Sequence, residues 1–306
     1  MSSSRCEIMS SEGAVSGAPE RSGRSAVFRS DPATLLLPLF LSAITWSAIT
    51  FLSPAPPPFR TLPPVVTFEE PVTAPEVSSA PYLNAVVLLV AVGVSGALFV
   101  IVLRKRPSLA SVLSAALYLV VTGSSMSYLL LSTDHLVAGS LTLTLVLSFG
   151  VGALCTYLVR RRTGLLAALS GSITGAFGGL VIASVVPPFT SMVLMGAAAL
   201  FDLLMVWKGY LSAMKGMRAE DFRTIRGMVV EMRDASVGLG DLIFYAMAVS
   251  VAVKLADAFT AAAVNAVIVA GYYATLLLLR RWDQVPGLSI PLGLSLVLLL
   301  LRSYLP

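Results

Sequence analysis

PYLNAVVLLVAVGVSGALFVIVLRKRPSLASVLSAALYLVVTGSSMSYLLL, residues 81–131, is two apolar runs joined by Arg104-Lys105-Arg106-Pro107. Each run matches the roughly 20 apolar residues that a helix needs to cross a bilayer. Basic residues clustered between apolar runs are a topology signal. The alternation continues in both directions. Runs able to span lie at about 34–52, 82–103, 109–131, 136–159, 164–186, 189–207, 237–256, 258–279 and 285–302. The chain is therefore expected to be an all-α polytopic membrane protein with nine transmembrane helices.

Composition supports the same class. Of 306 residues, 57% are hydrophobic and 12% charged, where a soluble domain carries about 25% charge. The mean hydropathy is +0.87. The net charge of +5 does not indicate nucleic acid, because the basic residues sit at the ends of apolar runs. With the N-terminus inside, 18 of the 21 Lys and Arg fall on the cytoplasmic side and only Arg60, Lys254 and Arg302 outside. The expected location is the cell membrane, with the N-terminus and the 208–236 loop cytoplasmic and the C-terminus outside.

Residues 1–33, rich in Ser and Gly, read as a disordered tail, and 34–306 as the membrane domain. The first outer loop, 53–81, holds nine of the 18 prolines and reads as an extended linker; Val65–Glu70 is its one candidate strand. The 208–236 loop mixes both charges and reads as a surface helix near headgroups. Gly171, Gly175 and Gly179, four apart, let a neighbouring helix approach closely. Asn265 is expected to bond between helices, and Lys254 and Asp257, three apart, to pair with each other. Asp134 and His135 fall in an outer turn. Cys6 and Cys155 form no disulfide framework, and one histidine leaves too few soft ligands for zinc. No metal or cofactor is expected.

Acidic residues inside a bilayer are costly, by about 2.5–3.5 kcal/mol on insertion scales, and demand a reason. Two lie well inside the runs, Asp202 and Asp241. Asp202 precedes Lys208 by six residues and Asp241 follows Asp234 by seven, on antiparallel spans that share one loop. Both carboxyls therefore reach a similar depth and can face each other. Two such groups in a poorly solvated site hold one proton between them, the state needed by a pair in which one carboxylate activates water and the other donates a proton to a carbonyl. A structural carboxyl pair and a proton relay in a transporter use the same spacing. The neighbours of Asp241 narrow the choice. Gly238 and Gly240 flank Leu239 just before it, permitting local unwinding and close approach of a substrate backbone.

Here the sequence resembles the presenilin and signal peptide peptidase family, whose signature is an aspartate in span six, GxGD in span seven and PAL at span nine. The matching stretches are Phe201-Asp202-Leu203, Gly238-Leu239-Gly240-Asp241 and Pro286-Gly287-Leu288, the last preceded by Thr275 and four leucines. The resemblance implies an intramembrane aspartyl endopeptidase that cleaves transmembrane segments or remnant signal peptides. It implies Asp202 and Asp241 as catalytic residues, with Phe201, Gly238, Leu239, Gly240, Pro286, Gly287 and Leu288 binding substrate. Phe201 stands for the family's Tyr and Gly287 for its Ala. The loop between the aspartates is far shorter than in eukaryotic presenilins. That suits a compact archaeal or bacterial homologue that works without partner subunits or loop autoproteolysis. The orientation matches presenilin rather than signal peptide peptidase. Transmembrane substrates and the bilayer are the expected partners. No HExxH and no Ser-His pair at one depth are present. The alternatives are a prepilin-type aspartyl peptidase and a proton-coupled transporter or channel.

Overall fold

The computed structural model describes residues 31–51, 68, 77–132, 139–207, 227–232, 235–282 and 285–304. The expected tail lies outside them apart from Asp31 and the first two residues of α1. Most of the 53–81 loop, most of the 208–236 loop, and Asp134 and His135 also lie outside them.

The described residues form nine helices: α1 (Pro32–Phe51), α2 (Ala80–Lys105), α3 (Pro107–Ser132), α4 (Leu141–Arg161), α5 (Leu165–Val185), α6 (Pro188–Trp207), α7 (Leu239–Leu255), α8 (Ala258–Leu279) and α9 (Ser289–Tyr304). They follow the nine apolar runs, usually within two residues. The first six and α8 are long and apolar enough to cross a membrane; α7 has 17 residues and α9 has 16. The chain is an all-α polytopic membrane protein, with a short hairpin among the described residues between α6 and α7.

Three boundaries differ from the sequence expectation. α4 begins at Leu141 rather than near 136, because Gly139 takes a left-handed φ of 68° and Ser140 then caps the helix, accepting from Leu143 N at 3.3 Å. The ninth run is non-helical through Leu288. Before α7 the chain forms strands β1 (Val229–Glu231) and β2 (Ser236–Gly238), paired antiparallel with Val230 opposite Val237. In this described part, the expected surface helix is replaced by a hairpin. Val230 is fully buried, which explains why its alternation favours a strand.

α5 is the central helix: 61% of its apolar window is buried, against 11% for α2. Its glycine row does what the spacing predicts. A Cβ at Gly175 would meet Leu242, and one at Gly179 would meet the Ile243 carbonyl and Met247 nitrogen, so α5 and α7 pack backbone to backbone. In this packing Gly171 faces Val230, which seats the hairpin on α5 as well.

Two polar side chains behave differently from each other. Asn265 accepts from Ser42 Oγ at 2.9 Å, joining α8 to α1 as expected. Lys254 and Asp257 do not pair. α7 ends at Leu255 and Ala256 leaves helical geometry, so the two residues share no helix face. Lys254 instead donates to the Ala183 carbonyl at 2.6 Å. Asp257 caps α8 through Thr260 N at 2.6 Å and pairs with Arg302 at 3.7 Å. The Thr260 N–H is the main reason its carboxyl is held below the usual carboxylate range.

Candidate active site

Asp202 lies near the end of α6 and Asp241 in the first turn of α7. Gly238, the last residue of β2, is also the N-cap of α7, so the hairpin delivers Asp241 directly into the helix start. There the carboxyl turns back over the Gly238 backbone, toward its N–H. The N-terminal end of a helix favours a carboxylate, and α7 supplies that end. The two aspartates are close enough to act on each other electrostatically, and both are half-buried.

The segment before α9 joins them. Leu288 N donates to Asp202 Oδ2 at 2.8 Å and Ser289 N to the same oxygen at 3.2 Å. The Ser289 hydroxyl, with one proton to give, lies 2.7 Å from the Ala199 carbonyl and 3.2 Å from Asp202 Oδ2. One residue earlier, a Cβ on Gly287 would stand 3.2 Å from Asp241 Oδ2. Tyr245, one turn beyond Asp241, donates its hydroxyl to the Gly287 carbonyl at 2.6 Å. Residues 287–289 thus adjoin both carboxyls, bonded to Asp202 through backbone N–H groups and leaving room beside Asp241 that a side chain at 287 would crowd. Proline at 286 and glycine at 287 explain why this backbone is not helical.

Of the residues singled out from sequence, the structure gathers Asp202, Asp241, Gly238, Gly287 and Leu288. Pro286 adjoins them, and Leu239 is buried beside Asp241 as part of the core. Gly240 is exposed with nothing within 4 Å of where a Cβ would stand, so space is open there. Phe201 is exposed with Leu200, Leu203 and Leu204, an apolar patch beside Asp202. The Leu288 N–H and the Gly287 carbonyl are both engaged within the protein, so neither is open to pair with an extended peptide.

Sequence reasoning gave no role to Tyr245, Ser289 or Gly271. The signal for Tyr245 was its spacing, four residues after Asp241 on one helix face. Ser289 directly follows the Pro-Gly-Leu motif. Gly271 of α8 receives the backbone of Pro291, since a Cβ there would stand 2.8 Å from the Pro291 Cα. That contact fixes the start of α9 beneath the site. No cluster of ligands able to hold a metal occurs among the described residues.

No protein-family model and no curated protein matches the sequence. Solved structures do. A presenilin family intramembrane aspartate protease in space group C222 superposes with a TM-score of 0.61 at 16% identity, covering 89% of this chain and 99% of that one. The same family's structure in space group P2 gives 0.53 at 17% identity, covering 89% and 97%. The class is therefore a multi-pass membrane protein with a presenilin-like fold, shared along nearly the whole length of those proteases.

Proposed function

We propose that this protein is a GxGD-type intramembrane aspartyl endopeptidase that hydrolyses peptide bonds in transmembrane segments or remnant signal peptides. The observation that carries this reading is the single backbone segment, 287–289, that adjoins two membrane-embedded carboxyls. Asp202 and Asp241 share one proton. One carboxylate takes a proton from water as the water oxygen attacks the scissile carbonyl carbon, and the other gives its proton to the carbonyl oxygen. Collapse of the tetrahedral species breaks the C–N bond, with the proton passing to the leaving nitrogen. The open space at Gly240 accommodates the substrate backbone. An extended substrate pairs with the edge of the hairpin, whose β2 ends three residues before Asp241. Pro286, Gly287 and Leu288 line the cleft, and exposed Phe201 meets the substrate's apolar flank. The uneven placing of Lys and Arg supports a cell-membrane location with the N-terminus and 208–236 loop cytoplasmic. The substrate is a single-span protein or peptide, and no partner subunit is needed.

The test is purified protein in detergent with a generic single-span substrate. Cleavage that a transition-state isostere blocks is the expected result. Absence of cleavage together with proton-coupled solute uptake in vesicles would instead make the carboxyl pair a relay.

Cleavage is expected to follow a bell-shaped pH curve. At low pH both carboxyls are protonated and no base remains; at high pH both are ionised and no acid remains. A rate constant across the whole range in which the protein stays folded would contradict a shared proton.

Tyr245→Phe is expected to lower kcat while leaving KM nearly unchanged. It frees the Gly287 carbonyl and so loosens residues 287–289, at a cost of about 1–3 kcal/mol for a buried acceptor left unpaired. That range corresponds to roughly 5- to 150-fold in rate if it is felt only in the transition state. An unchanged kcat would show that this hydrogen bond does not position the segment.

A further inference from the structure

The geometry points to a binding site for one anionic phospholipid between α3 and α4, away from the two aspartates. A cavity of about 410 Å³ runs along the outer side of this helix pair. It is floored by Ala115, Ala116 and Ala153, walled by Tyr157, and ended by Arg160 and Arg161. The alanines keep it open, and the 56% exposure of Tyr157 and 66% of Val112 put it on the lipid-facing surface. An apolar trough of this form takes an acyl chain.

Charge selects the headgroup. α3 starts directly after Arg106 and α4 ends at Arg161, so antiparallel packing brings Arg104-Lys105-Arg106 and Arg160-Arg161-Arg162 to the same end of the trough. No acidic residue occurs anywhere in α2, α3 or α4. The nearby carboxylate of Asp31 stands by Gly164, at the start of α5. Arg160 is fixed in place: its guanidinium donates to the Ser111 carbonyl and hydroxyl, each at 2.5 Å, and to Ser114 Oγ at 3.3 Å. These bonds hold the guanidinium against α3 at the end of the trough. Arg161, exposed and lining the same cavity, is the residue free to close on a phosphate. Apolar trough and clustered cations together suit a phospholipid with a negatively charged headgroup, one of its chains lying in the trough.

The test is native mass spectrometry of the full chain released from detergent containing equal phosphatidylglycerol and phosphatidylcholine. One phosphatidylglycerol retained in preference to phosphatidylcholine is the expected result. Arg161→Gln and Arg162→Gln should each weaken that retention about fivefold, from the roughly 1 kcal/mol that a juxtamembrane cation contributes. Ala153→Leu fills the trough and should release the lipid while the cations stay in place. Equal retention of the two lipids overturns the site, as does undiminished retention by Ala153→Leu. Should Ala153→Leu fail to fold, as judged by helical circular dichroism, the two arginine variants decide: retention unaltered in both overturns the proposal.

Discussion

Asp202→Ala and Asp241→Ala are each expected to abolish cleavage of a transmembrane peptide, with the rate falling by about ten-thousand-fold, the upper range for loss of a general acid or base. The two roles are complementary, so neither carboxyl replaces the other. The variants differ in what else they disturb. Removing the Asp202 carboxyl strips the acceptor from Leu288 N and Ser289 N, which costs about 1–3 kcal/mol for each group left buried and unpaired. Asp202→Asn is the cleaner substitution, since its amide oxygen still accepts both N–H groups while it can no longer exchange the proton. Asp241 accepts no side-chain or backbone bond from residues 287–289, so Asp241→Ala should leave the segment in place. Circular dichroism and size-exclusion profiles like those of the unaltered protein, with no turnover, are the expected pairing. Substantial residual turnover by purified Asp202→Asn or Asp241→Ala would remove the acid–base assignment.

Gly179→Val is expected to be the most damaging substitution remote from the carboxyls. A Cβ at this position would stand 2.5 Å from the Ile243 carbonyl oxygen and 2.7 Å from the Met247 nitrogen. Those are backbone atoms of α7, so no side-chain rotation relieves the overlap. The helix itself must shift, and it carries Asp241 at its first turn. Overpacking a tight core usually costs about 1–3 kcal/mol, and a backbone collision belongs at the upper end. Activity should fall further than stability, because a displaced α7 separates Asp241 from residues 287–289. Gly96→Val is the control: nothing lies within 4 Å of a Cβ there. Thermal melting and cleavage rates measured on both variants check the expectation. Equal tolerance of the two substitutions would mean that the α5–α7 approach does not hold Asp241.

These two predictions rest on features with unequal visibility in the sequence. The spans were legible because a bilayer tolerates a helix only when nearly every side chain is apolar, and the runs end where Arg or Pro intervenes. The glycine row was legible because its spacing of four matches a helix face. Asp202 and Asp241 stood out as acids in apolar surroundings. What the sequence concealed depends on local breaks in that regularity. The apolar run read from Leu136 does not show that α4 starts at Leu141, where the left-handed Gly139 and the Ser140 cap precede the helix. The depth argument for Asp241 assumed helix from residue 234, whereas residues 236–238 are a strand. The carboxyls still meet, because the hairpin and the α5 glycines fix α7 independently of that count. Strands of three residues give too short an alternation to be recognised. Tyr245 and Ser289 act through contacts across more than 40 residues of chain, which no local pattern reports.

The length of α7 bears on the surroundings of the carboxyl pair. At 1.5 Å per residue its 17 residues extend only about 25 Å, short of the roughly 30 Å hydrocarbon layer of an average membrane. The seven helices long and apolar enough to cross a membrane can match that layer. Hydrophobic mismatch thus falls on the element that bears Asp241. A short span is accommodated by thinning of the bilayer, by snorkelling of flanking side chains or by helix association, and thinning here would draw the headgroup boundary and its water inward toward the first turn of α7. Bilayer thickness becomes a control on hydration at this one flank, with short-chain lipids favouring the geometry described and long-chain lipids opposing it.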